Sequence, residues 1–277
     1  MANKAILCPR CNRLVGSNET VCSWCGASRA NPWWTIMGRT RGLLGDEWLV
    51  QSIILVNVFF YVLSLALTRH HSFLANPLSL LTPGDSSLIL LGATGTIPVN
   101  RFGNLLSFLT ANYLHAGILH IVFNMLALRQ VAPLVIQEYG AGRTFTVYTV
   151  GGVCGFILSY MMGVPLTVGA SASICALIGS LLYYGKSRGG TYGSTVFREV
   201  GGWVVGLFLF GLLVPGINNW GHGGGILSGI VLGMLLGYSD RRPASHIHQG
   251  LGLVCAVVTA GCLAWTAIAA LAYSLLR

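Results

Sequence analysis

Apolar residues run through this chain in long uninterrupted stretches, and charges fall mainly between them. Residues 48–68 form the first stretch and carry VQSIILVNVFFYVLSLAL without a charge. A helix rises about 1.5 Å per residue and the bilayer core is about 30 Å thick, so about 20 apolar residues span it. One membrane span is therefore predicted over residues 48–68. Residues 70–114 break the pattern with Pro77, Pro83, Pro98 and several glycines, yet pieces such as SLILLG stay apolar. They predict a long connection lying partly in the membrane interface. A second span is predicted over Ala116–Gln137. The uncharged run 144–185 accommodates two spans turning near Gly163-Val164-Pro165, and the run 200–239 accommodates two more divided at Pro215-Gly216. A last span over Gly250–Tyr273 makes seven.

Composition narrows the class. Hydrophobic residues make up 54% and charged residues 8%, against about 25% charged in soluble chains. Mean hydropathy is +0.70. An ordinary soluble domain is excluded, and a lipid-embedded one is expected. The formal charge of +9 does not point to nucleic acid, because the basic residues sit in short segments between apolar runs. With the N terminus in the cytoplasm, all but Arg69, Arg101 and Arg277 of the 16 Lys and Arg fall at the inner side. The C terminus is then expected outside. Residues 1–47 hold no apolar core of the signal-peptide kind, so the first span is expected to insert as an uncleaved anchor.

The N-terminal segment CPRCNRLVGSNETVCSWC pairs Cys8 with Cys11 and Cys22 with Cys25. Two thiolates three positions apart grip one metal from a tight turn, and two such knuckles make a closed four-thiolate zinc site. So small a segment has little apolar core, so the metal would hold its fold. Two disulfides or four idle thiols are the alternatives; a reducing cytoplasmic side disfavours the first. The expected organisation is a zinc ribbon over 1–30, a basic linker over 31–47 and a transmembrane domain over 48–277. Cys154, Cys175, Cys255 and Cys262 have no paired spacing and read as packing residues.

Polar residues within spans are costly and often mark function. Three clusters fall at one predicted face: His115, His120 and Asn124 in HAGILHIVFN; Ser171 in VGASASICALIG; and His222 in NNWGHGGGILSG. Taken alone, GASAS is more often helix packing, and Asn218 and Asn219 read as loop or cap residues. Together the clusters offer a serine nucleophile with a histidine base. Gly225 and Gly229 leave a smooth face on the sixth span, so the fourth span can approach closely. His120 and Asn124, one turn apart, supply donors for a developing oxyanion, with the backbone N–H of Ser171. No Asp or Glu falls in a predicted span, which favours a Ser–His dyad. A transporter would need charges within spans or interrupted repeated helices, and neither is present.

These motifs resemble those of the rhomboid family of intramembrane serine proteases. HAGILHIVFNMLAL is similar to the family's H-x4-H-x3-N element in the second helix, GASASICALIG to its GxSG element in the fourth, and GHGGGILSG to its H-x-G-G-x-x-x-G element in the sixth. The resemblance covers about residues 48–240. It implies an all-α polytopic fold with a six-helix core, here followed by a seventh C-terminal helix as in some members. It implies cleavage of membrane-anchored, single-span substrates near the outer face, with Ser171 as nucleophile, His222 as base, and His120 and Asn124 at the oxyanion. His115 resembles a family histidine of less settled role. No cofactor is implied for catalysis, and a bacterial inner membrane is expected. Three departures stand out: Ala172 replaces the glycine after the serine, Cys175 stands where an aromatic residue often packs on the base, and Leu106-Ser107 replace a Trp-Arg pair. An inactive, client-binding member of the family is the alternative.

Overall fold

The computed structural model describes residues 5–8, 14–16, 18–23, 26, 28–30, 48–68, 81–214, 216–242 and 245–276. At the N terminus β1 (Ala5–Leu7) pairs antiparallel with β2 (Leu14–Gly16), setting Ile6 opposite Val15. A second turn is closed by a bridge between Val21 and Ser28. Cys8 follows β1 directly, and Cys22 follows Val21 and begins a turn in which its carbonyl accepts from Gly26 N at 2.9 Å. The expected linker over 31–47 lies outside the described residues, as do Cys11, Cys25 and Pro77.

The rest is helical. In chain order the helices are α1 (Trp48–Ala66), α2 (Asp85–Leu90), α3 (Thr96–Phe102), α4 (Ser107–Thr110), α5 (Ile118–Tyr139), α6 (Ala141–Met161), α7 (Ser171–Arg188), α8 (Gly190–Leu213), α9 (Asn219–Leu236) and α10 (His246–Leu275). A 3₁₀ turn over Ala111–Tyr113 links α4 towards α5. Among the described residues, α1, α5, α6, α8 and α10 are long and apolar enough to cross a membrane. Helices α7 and α9 fall below that hydropathy because one carries serines, Lys186 and Arg188 and the other Asn219, His222 and a run of glycines.

Those two helices occupy the middle of the bundle. Helix α7 packs on α5, α6, α8 and α9, and α9 packs chiefly on α6 and α7. Backbones meet at these contacts. A Cβ added at Gly225 would lie 2.3 Å from the carbonyl oxygen of Ala172, one at Gly229 would lie 1.9 Å from that of Ala176, and one at Gly179 would lie 2.1 Å from that of Ile226. Helix α6 joins the same seam, where Gly155 faces the Gly221 carbonyl and Gly224 faces the Gly155 Cα. Close approach of small residues is what packs helices in lipid, where no hydrophobic effect draws them together. The expected contact through Gly225 and Gly229 is present.

The bounds of several expected spans shift. Helix α6 starts at Ala141 and includes Arg143, which is buried. Its Nη2 donates to the Arg242 carbonyl at 2.6 Å and to His248 Nδ1 at 2.9 Å, and its Nη1 donates to the Tyr139 carbonyl at 3.4 Å. A guanidinium whose donors meet acceptors at helix ends need not mark the edge of a span. Helix α8 likewise begins at Gly190, ahead of Arg198 and Glu199, and α5 extends over Glu138. Hence acidic residues do enter two long helices, Glu138 at the end of α5 and Glu199 ten residues into α8. The described part of the 70–114 connection is built from α2, α3, α4 and the 3₁₀ turn, with Leu91, Ala93 and Ala111 fully buried. Helix α10 is longer than expected, running from His246 to Leu275.

Candidate active site

Ser171 is the first residue of α7. The first backbone bond of that helix runs from Ile174 N to the Ala170 carbonyl at 2.9 Å, so the N–H of Ser171 lies ahead of the helical ladder. The chain reaches Ser171 through Gly169 at φ +133°, a backbone region that L side chains rarely adopt. A Cβ at Gly169 would stand 2.7 Å from His120 Nε2 and 3.6 Å from Ser171 Oγ. The imidazole and the hydroxyl therefore flank one point, and only glycine leaves that point open.

This approach loop is strapped to the segment before α5. Thr167 N donates to the Thr94 carbonyl at 2.7 Å, Thr94 N to the Thr167 carbonyl at 3.1 Å, and Gly169 N to the Ala111 carbonyl at 2.9 Å. Behind Ser171, Ser173 Oγ donates to Asn112 Oδ1 at 2.8 Å, and the Asn112 amide donates to the carbonyls of Phe108 and Leu109 at 2.9 and 3.2 Å. Asn112 thus ties the 3₁₀ turn to the helix that begins with Ser171.

His222 sits in the first turn of α9, and its Nε2 is 2.9 Å from Ser171 Oγ. Its Nδ1 is buried and has no hydrogen-bond partner. Among the described residues no carboxylate therefore orients the ring, although α5 and α8 carry Glu138 and Glu199. What is fixed instead is the start of the helix that carries the ring. Asn218 caps α9 by accepting from Gly221 N at 2.9 Å, while its amide donates to Ser159 Oγ at 2.6 Å and Thr167 Oγ1 at 3.0 Å. One side chain thereby joins the start of α9, the end of α6 and the loop that presents Ser171. Its capping role is readable from an Asn just ahead of a helix. Its reach to Ser159 and Thr167 has no signature in the sequence, and neither does the pairing of Asn112 with Ser173.

The other expected residues are near but not all aimed alike. His120 Nδ1 accepts from Ala116 N at 3.3 Å, which leaves Nε2 beside Gly169. Asn124 turns its amide back to the His120 carbonyl at 2.8 Å. His115 is fully buried against His120, with ring centroids 5.1 Å apart, and neither of its ring nitrogens has a partner. Ala172 is buried with Ala111 and Phe156, so its methyl fills a gap where a glycine would leave one. Cys175 packs on α9 beside Gly225. The nearness of Ser171 to His222 depends on the glycine seam between α7 and α9.

Fold and site together define a multi-pass, all-helical integral membrane protein that brings a serine and a histidine together at one end of its bundle. Residues 103–239 match the family model of the Rhomboid domain. Over 209 residues the chain is 29% identical to "RHOMBOID-like protein 7" of Arabidopsis thaliana, covering 69% of this chain and 66% of that relative. Over 129 residues it is 35% identical to "Rhomboid protease GluP" of Bacillus subtilis, covering 47% of this chain and 25% of that relative. Over 162 residues it is 27% identical to "Rhomboid-like protease 5" of Toxoplasma gondii, covering 57% of this chain and 19% of that relative. These matches support the rhomboid family.

Proposed function

We propose that the chain is an intramembrane serine endopeptidase that cuts membrane-anchored proteins, single-span ones above all, near the outer membrane face. The observation that carries this reading is the 2.9 Å contact between His222 Nε2 and Ser171 Oγ. Two relatives bear protease in their names, which supports an intramembrane protease. In the proposed reaction Ser171 Oγ attacks the scissile carbonyl as His222 Nε2 takes its proton. His222 then passes that proton to the leaving amine, and water releases the acyl group from Ser171. The oxyanion is held by the Ser171 N–H and His120, and by Asn124 once its amide turns from the His120 carbonyl. One such donor is worth about 3 kcal/mol of barrier. A substrate helix must unwind locally, because helical hydrogen bonds and side chains shield its carbonyls.

The seven-span topology belongs to this proposal, with the N terminus cytoplasmic, the C terminus outside, and a bacterial inner membrane as the site. So does a structural zinc ion bound by Cys8, Cys11, Cys22 and Cys25. Cys8 and Cys22 are both buried and pack together with Val15, which fits two knuckles closing on one centre. Zinc there would supply folding energy to the hairpin segment and takes no part in proteolysis.

Co-expression with a panel of single-span reporters tests the reading. Cleavage by the wild type and by neither Ser171→Ala nor His222→Ala is expected. Cleavage that survives Ser171→Ala sinks the mechanism.

A further inference from the structure

Helix α7 starts at Ser171 and has 18 residues, so its far end lies about 27 Å away. An open recess of about 340 Å³ is found there, lined by Ser187, Arg188, Tyr238, Asp240 and Arg241. Two cations and one carboxylate leave its lining net positive. Arg241 Nη1 donates to Tyr183 Oη at 2.6 Å and to Ser187 Oγ at 3.3 Å, which fixes one edge of the guanidinium. The Arg188 guanidinium lies over the Tyr192 ring at 5.0 Å and the Tyr184 ring at 6.0 Å. Its contact with Asp240 is long, at 3.7 Å, between side chains 38% and 46% exposed. Such a pair contributes little and yields readily to a better anion. Glu138, the other acid nearby, accepts from Tyr192 Oη at 3.1 Å and Gln137 Nε2 at 3.3 Å.

We infer that this recess binds a phosphate ester, and that the group filling it is the headgroup of an anionic phospholipid. Arginine suits phosphate because its fork of N–H donors engages two oxygens at once. The lipid is favoured over a soluble phosphate by what surrounds the recess. Tyr184 stacks edge-on with Tyr238 at 5.0 Å and with Tyr192 at 6.3 Å. Of these only Tyr192, near the start of α8, is exposed, at 42%, and an exposed tyrosine at the end of an apolar helix marks headgroup depth. Met234 and Leu235 are more than half exposed just ahead of Tyr238, offering an apolar track for an acyl chain. The proposed topology, on which this inference rests, puts this end at the cytoplasmic side, where basic pockets between helices bind anionic headgroups.

Native mass spectrometry of the purified chain tests this, with phosphatidylglycerol and phosphatidylcholine supplied in equal amounts. The wild type is expected to retain phosphatidylglycerol preferentially, by about fivefold for each arginine engaged. Arg188→Gln with Arg241→Gln should abolish the preference. Asp240→Asn, which removes the competing carboxylate, should raise it and serves if the double variant does not fold. A preference unchanged in either variant overturns the inference. Thermal unfolding distinguishes the source: a rise in Tm with phosphatidylglycerol but not with inorganic phosphate supports the lipid, and an equal rise with inorganic phosphate overturns the lipid assignment. Neither readout depends on Ser171.

Discussion

Replacing Gly229 by alanine should separate the serine from its base without touching either. The added methyl would sit 1.9 Å from the Ala176 carbonyl oxygen, whereas a carbon tolerates that oxygen at about 3.3 Å. The helices must therefore part by roughly 1.4 Å at that level. His222 lies two turns earlier on the same face of α9, so a rigid displacement carries its imidazole from 2.9 Å to more than about 4 Å from Ser171 Oγ, beyond hydrogen-bond reach. Misplacement by about 1 Å costs roughly 100-fold in rate, or about 2.7 kcal/mol. Cleavage of a single-span reporter by purified protein in one detergent gives kcat/KM, and a melting curve confirms the fold. Gly225→Ala, 2.3 Å from the Ala172 carbonyl oxygen, should act in the same direction. Gly261→Ala in α10, with nothing within 4 Å, should stay within about twofold because it adds a methyl to open space. Folded Gly229→Ala cutting at the wild-type rate would refute the reasoning.

Other substitutions separate the remaining roles. Asn218→Ala should lose the cap, worth about 1 kcal/mol, and both cross-links, lowering kcat more than it raises KM; Asn218→Asp keeps the cap and should recover part of the loss. Ala172→Gly should leave cleavage within about threefold while lowering stability by roughly 0.5–1 kcal/mol through backbone entropy and a lost methyl contact. Arg143→Gln removes charge-assisted bonds worth about 1.5–3 kcal/mol each, and limited proteolysis should then show α10 loosened from α6. Cys8→Ser or Cys22→Ser should take bound zinc, measured by elemental analysis, from one per chain to none while reporter cleavage continues.

Helices that face lipid on most sides write themselves plainly into the sequence, and α1 and α10 lie where the uncharged runs predicted. Charge-based edges failed at Arg143 and Glu199 for a physical reason. Hydropathy registers the charge but not the carbonyls of Tyr139 and Arg242 that satisfy the guanidinium. Ser171, His120 and His222 were legible because a polar group at a span end is conspicuous against an apolar background. Their mutual distance was not, since it follows from backbones meeting at Gly225 and Gly229. Asn124 shows the opposite case: its position one turn from His120 was legible, but its amide turns back to its own helix. The straps through Asn112 and Asn218 join residues 51 or more positions apart, and no local pattern announces such pairs.

The low hydropathy of α7 and α9 also bears on how the chain enters a membrane. Both segments are less apolar than the five long helices around them, so each gains less from entering lipid on its own. In the seven-span reading each is made immediately after a more apolar neighbour, α6 before α7 and α8 before α9. Insertion of the helices that carry Ser171 and His222 is then a paired event, completed only when the glycine faces find each other. Before that meeting Ser171 and His222 stand apart, so the proposed dyad is a product of helix packing and forms last.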